Sequence, residues 1–231
     1  MPAPALTLPR FGQGMKPIYR LGWLGLGAWF RCYFRWRAYH AERVPLQGPA
    51  IIAANHASYL DPPLIGSSVR RELHYLARES LFRNPVFGAI LRAVNCVPVD
   101  REGGGAAGLK AILERLLAGA AIVLFPEGTR THDGRFLPAR AGIGLAVIKS
   151  ACPVIPARVF GSWEAYGRPH RFPRPRRIVV KFGPPLFFAQ LRAQAKTCPK
   201  PRLKQIYQEV ADEIMAAIQQ LEPCEDVTAL P

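Results

Sequence analysis

AIIAANHASYLDPP, residues 50–63, joins a short apolar run to a polar loop that ends in two prolines. The apolar run Ala50–Ala54 has the length and composition of a strand that is buried on both faces. Pro62 suits the first position of a helix and disfavours helical backbone at the residue before it. The segment from Pro62 to Ser68 is therefore predicted to begin a helix. A strand, a loop and a helix in this order form the repeating unit of α/β sheets.

The same alternation continues along the chain. Further strands are predicted at Ala121–Phe125, Val154–Ile155 and Ile178–Phe182, and helices at Ala106–Ala118, Gly142–Ser150 and Leu203–Leu221. This pattern predicts a single α/β domain whose mostly parallel or mixed sheet is flanked by helices, preceded by an N-terminal amphipathic helical segment. We divide the chain into an N-terminal helical segment at 1–43, the main α/β domain at 44–190, and a C-terminal helix and tail at 191–231 that pack on the same domain.

Composition excludes some classes of protein and leaves three classes of partner open. The chain has 231 residues, of which 49% are hydrophobic, so it is neither disordered nor of low complexity. It carries 31 Lys and Arg against 16 Asp and Glu, a formal net charge of +15. Such an excess predicts a polyanionic partner: nucleic acid, an anionic membrane surface, or a phosphorylated substrate with an acidic carrier. The 5 Cys and 5 His residues lack the paired spacing of zinc or redox sites, so no metal is expected.

The N-terminal segment is unusually rich in aromatic residues and arginines. Three of the four tryptophans, Trp23, Trp29 and Trp36, lie between residues 16 and 43, interleaved with six Lys and Arg. This mixture is typical of helices at the headgroup level of a bilayer. Two alternatives stay open: a helix packed on the protein's own core, and aromatic stacking with nucleic acid. No apolar run is long enough to predict a conventional membrane-spanning helix.

His56 and Asp61 are the first candidates for chemistry. Residues five apart on a regular helix point about 140° away from each other, so the pair can meet only across a turn. Asp61, just before Pro62, falls naturally at a helix N-cap, from which its carboxylate can turn back to the imidazole. The pair would then form a general base and its orienting acid. The structural alternative is a plain N-cap beside a hydrogen-bonding histidine; Ser58 as a nucleophile would lack the G-x-S-x-G turn.

Two further segments end in arginine. FPEGTR, residues 125–130, follows a predicted buried strand, where Gly128 lets backbone amides approach an anion and Arg130 offers a bidentate fork for phosphate. An ordinary β-turn is the alternative for this segment. Val97–Arg101 is a short strand that ends in Arg101, for which an Asp-Arg surface pair is the alternative.

Together these segments resemble the glycerolipid acyltransferase family, best known from lysophosphatidic acid acyltransferases of the PlsC type. The family's N-H-x-x-x-x-D motif matches Asn55 to Asp61, and its F-P-E-G-T-R motif is complete from Phe125 to Arg130. A short segment ending in Arg matches Val99–Arg101, and a strand with Pro matches Cys152–Pro156. The blocks occur in the family's order and cover roughly residues 45 to 190. Where the family often has Lys, this chain has Arg78, to which we assign no role.

The resemblance implies an O-acyltransferase with no acyl-enzyme and no cofactor beyond acyl-CoA or acyl carrier protein as co-substrate. His56 would be the base oriented by Asp61, and the phosphate and glycerol of the acceptor would be bound by Arg101, Glu127, Gly128, Thr129 and Arg130. Glu127 is expected to orient that site by hydrogen bonds to the glycerol or to the arginines.

The implied acceptor is 1-acyl-sn-glycerol 3-phosphate, and the implied location is the cytoplasmic face of the inner membrane, with an anionic membrane surface as partner and no nucleic acid. A lyso-ornithine lipid, another lysophospholipid or glycerol 3-phosphate is the alternative acceptor. The alternative from another class is a non-catalytic lipid- or nucleic-acid-binding protein.

Overall fold

A seven-stranded sheet forms the centre of the part of the protein that the computed structural model describes, residues 15–99 and 106–223. Its order is β1-β7-β6-β2-β5-β3-β4. The five strands from β6 to β4 are mutually parallel, β7 is antiparallel to β6, and β1 is parallel to β7. The predicted α/β class with a mixed sheet is confirmed. The strands are β1 Arg37–Tyr39, β2 Ala50–Ala54, β3 Leu73–Arg78, β4 Cys96–Val99, β5 Ala121–Leu124, β6 Val154–Phe160 and β7 Val179–Phe182.

Helices cover both faces of this sheet because neighbouring residues of a buried strand point to opposite sides. Ile52 of β2 faces a core that includes residues of α1 and α2, whereas Ile51 faces a core with residues of α4, α5 and α8. The helices are α1 Pro17–Phe34, α2 Asp61–Ser68, α3 Pro85–Ala93, α4 Ala106–Leu117, α5 Ala141–Ser150, α6 Ser162–Tyr166, α7 Ala189–Thr197 and α8 Lys200–Gln219, with short 3₁₀ helices at Ala41–Arg43 and Glu79–Phe82.

Most predicted elements lie where the sequence placed them, with one strand extended and several elements added. The strand predicted at Val154–Ile155 continues to Phe160, where it pairs with β7. The sequence pattern did not indicate β3, α3, α6 or α7, and it placed residues 37–39 in the N-terminal helical segment, whereas these residues form β1. β1 has only three residues, and β3 alternates buried with partly exposed side chains, so neither forms a continuous apolar run.

Helix α1 crosses one face of the sheet from edge to edge. Near its start, the Tyr19 hydroxyl accepts from the backbone N–H of Leu73, the first residue of β3, at 3.0 Å. At its end, the Phe34 carbonyl accepts from the N–H of Ile178, just before β7, at 3.1 Å. β3 begins at the amino edge of the parallel strands, whereas the antiparallel β7 begins at their carboxyl edge. The C-terminal end of α1 therefore lies at the carboxyl edge.

One side of α1 is buried and the other is exposed. The alternative of a helix packed on the protein's own core therefore describes only the buried side. Phe30 and Phe34 are fully buried, and Trp36 just beyond the helix is nearly so. No helix within residues 15–99 and 106–223 combines the length and apolarity needed to cross a membrane. The exposed large apolar residues of α1 are Ile18, Leu21, Leu24, Leu26, Trp29 and Tyr33.

Candidate active site

His56 and Asp61 meet across the loop between β2 and α2. His56 Nδ1 lies 2.9 Å from Asp61 Oδ2. Because a carboxylate only accepts, Nδ1 carries the proton and donates it, which leaves Nε2 as the basic nitrogen. The Asp61 side chain is completely buried, whereas the His56 side chain is 12% exposed. This geometry is that of a base held in one tautomer by a buried acid.

The loop itself is folded around the same carboxylate oxygen. Asp61 Oδ2 also accepts from the backbone N–H groups of Ala57 and Ser58, each at 2.7 Å. The sequence predicted Asp61 as the N-cap of α2, whereas in the structure Leu60 is the N-cap and Asp61 is the first helical residue. Its side chain closes the turn from the helix side. The Ser58 hydroxyl is buried, donates to the carbonyl of Tyr166 at 2.8 Å and accepts from Leu60 N–H. Ser58 is therefore placed as a structural residue and not as a nucleophile.

Asn55 fixes the start of this loop to the neighbouring strand. Its amide donates to the Val159 carbonyl at 3.1 Å and accepts from the Val159 N–H at 2.8 Å. These bonds replace the main-chain pairing that β2 and β6 lose beyond Ala54. The loop therefore leaves the sheet at a defined position, at its carboxyl edge, where ligands bind in open α/β sheets.

Glu127 joins the two sequence motifs. Its Oε1 accepts from the backbone N–H of His56 at 2.9 Å, and its Oε2 accepts from the N–H of Leu137 at 3.2 Å. Thr131 N–H donates to the His56 carbonyl at 2.9 Å, so both backbone groups of His56 are held by the FPEGTR segment or by the residue after it. Burial raises the pKa of Glu127, a rise that its two backbone hydrogen bonds oppose. Both carboxylate oxygens are engaged by the backbone, whereas the sequence led us to expect arginines or glycerol as their partners.

The other end of the FPEGTR segment, with Thr129 and Arg130, forms a basic surface that we call the basic mouth. Arg130 lies over the ring of Tyr59, with Cζ 3.4 Å from the ring centroid, and Tyr59 is 62% exposed. Arg130 Nη1 is buried and has no hydrogen-bond partner among the residues that the structure describes. Gly128 has a φ of +68°, a left-handed conformation that suits glycine. This turn presents Thr129 and Arg130 at the same carboxyl edge as His56.

Arg168 extends this mouth from a distant part of the sequence. Its Nη2 donates to Thr129 Oγ1 at 3.1 Å and to the Arg130 carbonyl at 2.9 Å. The loop that follows is tied to α1, because the Tyr33 hydroxyl donates to the Pro173 carbonyl at 3.0 Å. The sequence analysis assigned no role to Arg168 or to Tyr59. Tyr59 lies inside the N-H-x-x-x-x-D motif, and Arg168 opens the most basic stretch of the chain, which are the only signals the sequence offers for them.

A polar cavity of about 160 Å³ lies beside the His56 loop. Its lining includes Asn55, His56 and Glu127 together with Arg135 and Arg158. Pockets that enclose drug-sized ligands measure about 300–1,000 Å³. This cavity is therefore too small to enclose a long acyl chain, and it suits a small polar group.

Not every residue expected at the site lies in the described part of the chain. Arg101 falls in the segment 100–105, outside the described residues. Arg78 is exposed at the carboxyl end of β3, where it pairs in register with Val99. Within residues 15–99 and 106–223 no three His, Cys, Asp or Glu side chains converge as metal ligands would.

Comparison with known proteins places this site in a family. Residues 35–159, more than half of the chain, match the family model described as Acyltransferase. The chain belongs to this acyltransferase family. The matched range contains His56, Asp61 and the whole FPEGTR segment, whereas Arg168 lies beyond it.

Individual relatives agree with the family. The chain is 29% identical over 126 residues to the 1-acyl-sn-glycerol-3-phosphate acyltransferase of Bacillus subtilis (strain 168), a match that covers 54% of this chain and 62% of the relative. It is 29% identical over 140 residues to the protein of the same name from Cocos nucifera, which covers 59% of this chain and 46% of that one. The chain thus spans roughly half to three-fifths of the length of these two relatives.

A solved structure shares the fold. The crystal structure of the 1-acyl-sn-glycerophosphate (LPA) acyltransferase, PlsC, from Thermotoga maritima superposes with a TM-score of 0.66 at 22% identity. The match covers 90% of this chain and 80% of that one. The single α/β domain with its N-terminal helix is therefore an architecture known from experiment.

Proposed function

We propose that this acyltransferase transfers an acyl chain from acyl-CoA or acyl carrier protein to the free hydroxyl of a lysophospholipid, with 1-acyl-sn-glycerol 3-phosphate as acceptor and phosphatidic acid as product. The observation that carries the proposal is the His56–Asp61 pair, whose free nitrogen belongs to a partly exposed ring at the carboxyl edge of the sheet. The names of the relatives support the same acceptor.

In the proposed reaction the substrate supplies the nucleophile. His56 Nε2 takes the proton from the acceptor hydroxyl while the hydroxyl oxygen attacks the thioester carbonyl. Asp61 stabilises the imidazolium that forms, as the acid does in a Ser-His-Asp triad. The thiolate then leaves and is protonated by the imidazolium, so the base is regenerated and no acyl-enzyme forms.

The acceptor's phosphate is proposed to bind at the basic mouth. Arg130 supports this role because its Nη1 has no hydrogen-bond partner among the residues that the structure describes, and Thr129 and Gly128 contribute a hydroxyl and backbone groups at the same turn. Arg101 belongs to the same proposed site through the family motif. Glu127 is proposed to act through the loop it holds, by fixing the backbone of His56, and not by touching the acceptor.

The acceptor's acyl chain is proposed to stay in a bilayer while the headgroup reaches the site. The cavity beside His56 is too small for such a chain, and α1 exposes apolar side chains up to the carboxyl edge. The net charge of +15 supports an anionic membrane surface as the place of reaction, on the cytoplasmic side of the inner membrane. The positive charge also suits the acidic acyl donors, and the family resemblance leaves open whether the donor is acyl-CoA or acyl carrier protein.

A panel of acceptors tests this function. The purified protein is given acyl-CoA or acyl carrier protein with lysophosphatidate, lyso-ornithine lipid, other lysophospholipids and glycerol 3-phosphate, and products are identified by mass spectrometry. We expect phosphatidic acid as the main product and no transfer by His56→Ala, whose circular dichroism should match wild type. Normal turnover by that variant contradicts the mechanism, and a different main product corrects the acceptor.

A further inference from the structure

Helix α3 and the 3₁₀ helix before it expose an apolar surface that the other described elements leave uncovered. Val86 is 71% exposed, Ile90 52%, Phe87 46% and, in the 3₁₀ helix, Leu81 42%. Gly88 is the one buried residue of α3, where it sits against the backbone of Phe82. A helix this apolar normally turns such a face to a partner. We call the surface formed by Leu81, Val86, Phe87 and Ile90 the α3 patch.

The topology places the α3 patch on the same face of the sheet as α1. The connections β2–α2–β3 and β3–α3–β4 both step toward the β4 edge, so two right-handed crossovers put α2 and α3 on one face. α1 packs against α2 on that face. The connection β4–α4–β5 steps back, and α4 accordingly lies in the core of the opposite face.

The α3 patch and the end of α1 lie on either side of the candidate active site. The 3₁₀ helix follows directly after the carboxyl end of β3, beside the edge strand β4. The end of α1 lies at the same carboxyl edge but beside β7 and β1, near the opposite side of the sheet. His56 and the FPEGTR segment follow β2 and β5, which lie between them. Two exposed apolar surfaces therefore flank the site from one face.

Charge indicates which partner fits. The stretch from Arg78 to Ala93 contains Arg78, Arg83 and Arg92 against Glu79 as its one acidic residue, and all three arginines are exposed. Apolar side chains ringed by arginine are suited to insert below the phosphates of an anionic bilayer. An acidic carrier protein would use the arginines but gives no reason for Val86 and Ile90 to stand in water.

We propose that the α3 patch is a second membrane-contacting surface, which docks on an anionic bilayer together with the exposed side of α1 and holds the carboxyl edge against the lipid between them. Its purpose rests on the membrane-borne acceptor proposed above, but its test does not. Docking at two separated points fixes the tilt of the sheet, which one helix alone leaves free to rotate.

Vesicle binding by the full chain tests the proposal. Co-sedimentation is measured with vesicles of phosphatidylcholine containing phosphatidylglycerol, for wild type, for Val86→Ser/Ile90→Ser, and for Leu117→Ser as a matched control. Leu117 is 83% exposed but ends α4 on the opposite face. We expect the double variant to partition about tenfold more weakly and the control to bind like wild type. Val86→Trp should bind more tightly than wild type, a gain that misfolding does not produce.

Activity on acceptor dispersed in detergent separates this proposal from the proposed function. Equal transfer by wild type and the double variant in detergent, with weaker vesicle binding, supports the second surface. Loss of acyl transfer in wild type itself would overturn the function and leave the binding result standing. The inference is overturned if the variants bind vesicles like wild type. It is also overturned if the variants lose binding to an acidic carrier protein but keep vesicle binding. The same holds if sedimentation velocity shows that the variants convert a dimer to a monomer while vesicle binding is intact.

Discussion

At the scale of single residues, Asp61 offers a clean separation of charge from geometry. Its Oδ2 accepts three hydrogen bonds, whereas its Oδ1 is buried with no partner among the described residues. In Asp61→Asn the amide oxygen can take the place of Oδ2 and the NH₂ group the place of Oδ1. The turn therefore keeps its three bonds while the imidazolium loses its countercharge.

We expect Asp61→Asn to lower kcat about 100- to 10,000-fold with little change in KM for the acceptor, since the charge matters most when the imidazolium forms. Steady-state kinetics and thermal melting check both halves of this statement. Asp61→Ala is the poorer variant because it leaves the N–H groups of Ala57 and Ser58 without an acceptor, which destabilises the loop. Turnover at the wild-type rate by Asp61→Asn would mean that His56 needs no acid.

Arg168 gives a second prediction at this scale. Because its guanidinium holds Thr129 and the backbone of Arg130, Arg168→Ala should raise KM for lysophosphatidate about three- to tenfold and change kcat less. The variant should leave KM for a monoacylglycerol, which lacks the phosphate, near its wild-type value. These constants are measured with one acyl donor at saturation.

Arg171→Ala is the matched control, since Arg171 lies in the same loop but over Phe172 instead of the FPEGTR turn. If the two variants raise KM equally, the loop contributes only its net charge, and the contact with Thr129 has no role in positioning.

The contact between His56 and Asp61 was easier to predict from the sequence than the contacts that hold this pair in place. His56 and Asp61 were predictable because a proline fixes the helix start and the motif fixes their spacing. The contact between Glu127 and His56 was not predictable, because it joins residues 71 positions apart through a backbone N–H that any residue could supply. Arg168 was hidden for the same reason: its partners are a hydroxyl and a carbonyl on another loop.

At the scale of elements, the packing of α5 against α8 depends on one glycine. A Cβ built on Gly144 would lie 1.8 Å from the Tyr207 carbonyl oxygen. The nearest atoms all belong to the backbone of Tyr207, so no side-chain rotation can relieve the clash. Gly144→Ala should therefore push the helices apart and lower the free energy of unfolding by about 1–3 kcal/mol or more. Urea denaturation followed by circular dichroism measures it.

Gly142→Ala is the control in the same helix, because a Cβ there meets no atom within 4 Å. It should be neutral or stabilise the protein by up to about 1 kcal/mol through helix propensity. A Gly144→Ala variant as stable as Gly142→Ala would show that α5 and α8 move apart without cost.

Helix α1 shows how far the pattern of an element can be interpreted from sequence. Its aromatic and arginine content indicated a membrane surface, a packed helix or stacking with nucleic acid, and the structure has one buried and one exposed side. Deleting it would expose the core around Phe30 and Phe34, so substitution of Leu21 and Leu24 by serine is the better way to probe membrane binding. The sequence analysis missed α3, although Asn84 caps this helix and Pro85 stands at its first position.

At the scale of the whole molecule, the excess of basic residues sets the conditions under which the protein should meet its substrate. The formal net charge is +15, yet the proposed phosphate site uses only a few cations: Arg130, Arg168 and, through the motif, Arg101. The remaining basic residues are available to contact an anionic membrane surface. Each basic side chain near an anionic leaflet contributes about 1 kcal/mol, and salt screens charges that lie more than about 8–10 Å apart.

Binding to anionic vesicles should therefore fall about tenfold or more when salt is raised from about 0.1 M to about 0.5 M, because several arginines lose their attraction together. Binding to neutral vesicles should be weaker throughout and nearly independent of salt, since it rests on the apolar surfaces alone. Co-sedimentation at several salt concentrations measures both. Transfer to acceptor embedded in anionic vesicles should fall in parallel, whereas transfer to acceptor in detergent should fall much less, because there the charge no longer brings enzyme and substrate together. If vesicle binding does not depend on salt but the protein retards DNA in a salt-sensitive mobility-shift assay, the positive charge serves nucleic-acid binding instead.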